Sequence, residues 1–135
     1  MKILFTLSFL LISISAYAVD CDKEINSILQ SKSPYSISTI EKCASIGNSR
    51  AQVLFASHLT GQNKHEEAFG WLQKSAQQED FIGLFYLGVA YAHGLGTKQN
   101  DELAKVEFMK ACKAGYPLSC DEYDKLKKLT LPVQR

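Results

Sequence analysis

This 135-residue chain has almost no excess charge: fifteen Lys and Arg stand against fourteen Asp and Glu, a formal charge of +1. That balance argues against electrostatic capture of nucleic acid or anionic lipid. Proline is scarce, at three residues, Asn-Gly and Asp-Gly turns are missing, and no stretch alternates convincingly between apolar and polar residues. Those absences leave no basis for an all-β reading. Ser-x-x-Lys and Gly-x-Ser-x-Gly are also missing, so no serine has the partners that would activate it for acyl transfer. The length allows one small domain and excludes a multidomain enzyme. With 46% hydrophobic and 21% charged residues, the composition is that of an ordinary globular protein rather than a disordered tail or a fibre.

What is present begins with an address. Met1-Lys2 is a short positive start, Ile3 to Ile14 is an apolar run broken by small hydroxyl residues, and Ala16-Tyr17-Ala18 has small residues at both positions a signal peptidase inspects. The run is too short for a membrane span and is followed at once by Asp20 and Asp22. Residues 1–18 therefore read as a cleavable signal peptide, leaving about 117 residues. Lys2 leaves with it, so the fourteen acidic residues are matched one for one. Val19-Asp20 lack the small residues a lipid anchor on Cys21 would need, and no later stretch could cross a bilayer. The expected location is the bacterial periplasm, or beyond it after secretion, with no membrane insertion once the leader is cut. All four cysteines survive cleavage, and an even number in an exported chain points to two disulfides. A zinc site is the competing reading, and no Cys-x-x-Cys pair supports it.

The remainder is patterned for helices. The residues predict segments at about 22–31, 38–46, 49–59, 65–78, 80–93, 101–114 and 117–129. Ser38-Thr39-Ile40-Glu41 has capping-box spacing, Asn100 precedes Asp101-Glu102 as a cap does, and Pro117 suits a first helical position. Pro34 and Pro132 also fall where helices could begin or end. Short connections make successive helices antiparallel neighbours. An internal repeat sharpens this: Glu67-Ala68 returns as Leu103-Ala104, and Lys74-Ser75-Ala76 as Lys110-Ala111-Cys112. Ala51, Phe55 and Leu59 likewise return as Gly83, Leu87 and Tyr91, with a longer loop, His93 to Asn100, in the second copy.

Leu87-Gly88, Tyr91, Gly94-Leu95-Gly96, Asp101, Ala104, Lys110-Ala111 and Gly115 resemble the consensus of the Sel-one-like repeat, a relative of the tetratricopeptide repeat. Residues 80–115 match well. Residues 48–79 look like a degenerate copy that keeps Ala51-Gln52, Ala68, Trp71 and Lys74-Ser75-Ala76 but lacks the glycine-rich loop. Residues 19–47 would form an N-terminal helical cap, and 116–135 a C-terminal capping helix with a short tail. The resemblance implies an all-α fold, a short right-handed superhelical stack of antiparallel helix hairpins, with Trp71 in an aromatic core position. Cys112 and Cys120 flank the Gly115 turn at positions that antiparallel helices can bring together, a spacing similar to that of the secreted, cysteine-rich branch of the family. Cys21 with Cys43 then follows by elimination.

Candidate chemistry is sparse. His58, His65 and His93 lack the spacing that stacks ligands on one helix face. Glu66-Glu67 and Asp101-Glu102 lie in first helical turns, where the helix dipole accounts for them. Gly94 and Gly96 lack the Gly-Lys-Ser/Thr of a phosphate loop. No metal or cofactor is expected. The informative stretch is Phe81 to Tyr91, with almost no polar face. Either this helix is buried all round, or one side is a contact surface. In the repeat register Leu84, Leu87, Gly88 and Tyr91 are core positions. Ile82, Phe85, Tyr86 and Val89 fall at positions that line the concave face in such proteins, with Arg50, Leu54 and His58 before them and Glu122 after.

The reading that results is an exported, monomeric, non-catalytic module that binds a protein or peptide through its helical surface. Two narrower alternatives stand beside it: an immunity protein that neutralises a secreted toxin, and the penicillin-binding or β-lactamase-like activity described for some cysteine-rich relatives, for which no Ser-x-x-Lys is available. A stack this short leaves neighbouring faces uncovered, and disulfides compensate for the missing burial. Reductant is accordingly expected to lower the melting temperature of the mature protein markedly; an unchanged melting curve would refute that role for the cysteines.

Overall fold

The computed structural model describes residues 20–30 and 36–130. The leader at 1–18, Pro34, Pro132 and the tail at 131–135 lie outside the described residues. The chain divides into two compact units, residues 1–33 and 34–135. In the first, α1 (Cys21–Gln30) carries Asp22 and Glu24 in its first turn, at the positive end of its dipole, and buries Cys21 and Ile25 on one side.

The second unit is a succession of six helices: α2 (Ile37–Ser45), α3 (Ser49–Gly61), α4 (His65–Gln77), α5 (Phe81–His93), α6 (Asp101–Lys113) and α7 (Pro117–Thr130). No strand occurs among the described residues. Each helix packs on the next, and α3 also packs on α5, which is the arrangement of stacked helix hairpins.

Side chains set where most of these helices start. Asn48 accepts a hydrogen bond from the Ala51 amide, Asp80 from the amides of Ile82 and Gly83, and Asn100 from the Leu103 amide. Pro117 opens α7, where its missing N–H has no helical partner to lose. The box expected at Ser38 to Glu41 is corrected. The helix begins one residue before Ser38, with Ser36 as its N-cap, and Ser36 Oγ pairs with Ser38 Oγ at 2.7 Å instead of bonding a backbone amide. The turn leading into each first helix of a hairpin requires a left-handed residue: Gly47 has φ +103°, Gly115 has φ +95°, and Glu79 holds the equivalent place at φ +58° despite its side chain.

The core of this unit runs through α3 to α6, with Leu59, Leu72, Leu84, Leu87 and Phe108 among its buried members. Trp71 stands partly buried against it, edge-on to Phe55 at 5.4 Å, with Lys74 Nζ 3.9 Å above its ring. At the equivalent place one repeat later Glu107 is buried and accepts a hydrogen bond from Lys110 at 2.9 Å. Both copies thus place a lysine over the same position, by cation–π attraction in one and by an ion pair in the other. Buried Gln52 ties three segments together, donating to the Ala44 carbonyl and accepting from the Gln78 amide.

Cys112 and Cys120 form a disulfide between the end of α6 and the start of α7, with Cα atoms 4.9 Å apart. Every described cysteine is disulfide-bonded, and none is free.

Helix α5 packs tightly on α6 at Gly88, where an added Cβ would stand 2.8 Å from the Phe108 ring. Gly70, inside α4, has nothing within 4 Å. Gly88→Ala is expected to destabilise the protein by about 1–3 kcal/mol through overpacking, while Gly70→Ala stabilises it by about 0.5–1 kcal/mol through its helix preference. Urea denaturation of the two variants checks the pair.

Candidate functional site

The first helices of successive hairpins, α3, α5 and α7, present repeat-equivalent positions. One row is Arg50, Ile82 and Leu118; the next is Leu54, Tyr86 and Glu122; the third is Ser57, Val89 and Lys125. Within each helix these residues follow i, i+4, i+7 spacing and so share one face. Tyr86 is 45% exposed and Leu118 46% exposed, while Leu54, Ile82 and Val89 are half-buried. The face is therefore apolar in its middle, with exposed Arg50 at one corner. Glu122 accepts a hydrogen bond from Lys125 at 2.7 Å toward the far side. That carboxylate, by hydrogen bond and by charge, with Asp121 adding a smaller attraction, raises the Lys125 ammonium above its ordinary range.

Phe85 does not belong to this face. It is only 8% exposed, with its ring 5.7 Å from that of Phe108 and 5.1 Å from that of Tyr116. Because α6 and Tyr116 close over that side of α5, Phe85 is a core residue. Its repeat-equivalent Val53 is buried too. His58 is half-buried, stacked on Phe55, with Nε2 3.0 Å from the Gln62 amide nitrogen, so at least part of its role is structural. Leu118 and Lys125 were missing from the sequence-based set. Carrying the repeat offset forward from Ile82 and Val89 onto α7 finds both.

The other singled-out groups do not converge. His65 opens α4 and His93 ends α5, and no three His, Cys, Asp or Glu of the described residues come together as a metal site. The glycine-rich loop packs down on α4: a side chain at Gly96 would collide with the His65 carbonyl. An open depression of about 580 Å³ beside it is lined by Lys64, Glu66, Glu67 and Thr97 among others. No described helix is long and apolar enough to cross a membrane.

A run of antiparallel hairpins with a shared offset between equivalent residues defines an α-helical hairpin-repeat protein. Among solved structures, the chain is similar to a protective antigen of uropathogenic Escherichia coli strains that displays an SLR fold, with 25% identity, a TM-score of 0.66 and 73% of this chain covered. It is also similar to a Sel1 repeat protein from Oxalobacter formigenes, with 30% identity, a TM-score of 0.56 and 62% of this chain covered. The chain has the Sel-one-like repeat fold. It spans 22% and 25% of the length of these two neighbours. No protein-family model matches the chain, and no curated protein matches it.

The two adjacent aromatics of α5 separate core from surface. Phe85→Ala is expected to cost about 3–5 kcal/mol of stability, and Tyr86→Asp less than about 1 kcal/mol. Equilibrium denaturation with both variants decides it, and equal losses would contradict this assignment of the two rings.

Proposed function

We propose that the protein is an exported, non-catalytic interaction module that binds a protein or peptide across the face of α3, α5 and α7. The observation that carries this is Tyr86. A large aromatic side chain stands exposed in the middle of the face, with half-buried Ile82 and Val89 beside it on α5 and exposed Leu118 on α7. Aromatic residues with an apolar body and a polar tip are favoured anchors of protein interfaces. The surrounding positions are apolar at the centre and charged at the edge, the composition of an interface core and rim. Arg50, Leu54, His58, Ile82, Val89 and Glu122 complete the proposed surface, with Leu118 added and Phe85 withdrawn.

Export to the periplasm is supported by the leader pattern and by cysteines that are all oxidised among the described residues. The helix faces are held in place by packing and disulfides before any partner arrives, which reduces the ordering cost of association.

Affinity capture from a periplasmic extract with the oxidised protein tests the reading. Wild type is expected to retain a discrete partner, and Tyr86→Asp or Leu118→Asp to reduce recovery at least about tenfold, the loss of a central anchor, with the melting temperature unchanged. Undiminished capture by both variants would overturn the assignment of the face.

A further inference from the structure

Helix α7 is held differently from its neighbours. Of residues 117–129 only Ser119 is buried, and its hydroxyl has no hydrogen-bond partner. Helix α5, by contrast, buries six residues. Tyr123 and Leu126 of α7, and Tyr116 just before it, reach the core only as partly buried side chains, and every fully buried member of that core comes from α3 to α6. The Glu122–Lys125 ion pair is internal to α7 and adds little to docking. A helix of 14 residues is marginal in water when cut off from tertiary contacts. The covalent bond from Cys120 to Cys112 thus supplements a docking of α7 on α6 that contributes few buried side chains. Both cysteines are half-buried, within reach of an external thiolate.

We propose that the Cys112–Cys120 disulfide is a thiol-operated latch: a dithiol reductant releases α7 from the stack while α3 to α6 remain folded. The reductant's thiolate attacks one sulfur and displaces the other as a thiolate, which takes up a proton. Its second thiol then resolves the mixed disulfide, leaving two protein thiols and the oxidised reductant, a two-electron exchange. Leu118, Glu122 and Lys125 leave the binding face with α7. This last consequence rests on the function proposed above, whereas release of the helix does not.

Hydrogen exchange read by mass spectrometry tests the latch without any partner. In the full chain carrying Cys112→Ser and Cys120→Ser, amides of residues 118–130 are expected to exchange about sixtyfold faster than in the oxidised wild type, the factor that chain entropy assigns to a closed loop of this length. Amides of α3 to α5 should keep their oxidised rates. Uniform acceleration from α3 to α7, unchanged protection of α7, or failure of the variant to fold would each overturn the proposal. A dithiothreitol titration of the wild type gives a second measurement, because Trp71 in α4 is the only tryptophan. Alkylation of Cys112 and Cys120 together with α7 deprotection should precede any change in Trp71 emission, and a simultaneous change would overturn the latch. Partner capture is not a readout here, so failure of the latch and failure of the binding face remain distinguishable.

Discussion

Between α5 and α6 the Phe108 ring lies where a side chain on Gly88 would have to go. With nothing but a hydrogen on that side of α5, the two helices approach until the ring covers the backbone, and Phe85 closes the same seam from the next turn. This contact fixes which side of α5 is inside. Leu84 and Leu87 then follow into the core, and Ile82, Tyr86 and Val89 are left on the opposite side. The exposed tyrosine is a geometric consequence of the close approach: an apolar helix that packs tightly on one side has no polar face to offer on the other.

The same register explains how the stack is finished. Phe85, Gly88 and Ala92 of α5 correspond to Asp121, Asp124 and Lys128 of α7. In α5 these positions meet another helix; in α7 they are all exposed. A helix carrying charge where its predecessor carries aromatic and small residues cannot seat another apolar helix there without burying ions, which is costly unless they are paired. A polar outer face is what a terminal repeat requires. The disulfide joins α7 to a helix whose own core contacts include Ala104, Phe108 and Ala111.

Helix positions were legible in the sequence because three independent signals agreed: apolar spacing, polar caps, and recurrence of the same residue types at a fixed offset. The described helices fall within a residue or two of those expected. Ser38 misled because serine spaced three residues ahead of glutamate looks like a cap wherever it occurs, and two serines compete for the start of α2. Asp80 was overlooked as the cap of α5 because no glutamate follows it, although its carboxylate alone satisfies two amides. For the candidate site, the repeat register grouped Tyr86 with Phe85 and could not separate the exposed ring from the buried one. Burial of Phe85 depends on Phe108 in the next helix and Tyr116 just beyond it, and their closure is a tertiary event that no local pattern encodes. Leu118 was hidden for a related reason: α7 reads as a charged cap, so its one apolar contribution to the face emerges only in the repeat register.

Repeat register also shows which chemistry each position demands and which it leaves free. The place held by Trp71 in one copy and by buried Glu107 in the next accepts two unrelated side chains because both satisfy the lysine one turn later, one through its ring and one through its carboxylate. By contrast, the residue two positions before each first helix needs a left-handed backbone, and Glu79 meets that need at a conformational cost glycine would not incur. The constraints that recur without exception are therefore backbone constraints, and side-chain identity varies wherever a second chemistry can meet the same packing requirement. The face of α3, α5 and α7 follows from this. Its positions are fixed in space by the backbone register, while their side chains run from Arg50 through Ile82 to Leu118 and from Leu54 through Tyr86 to Glu122. A surface of fixed geometry and freely varied chemistry can be fitted to one particular partner without disturbing the fold beneath it.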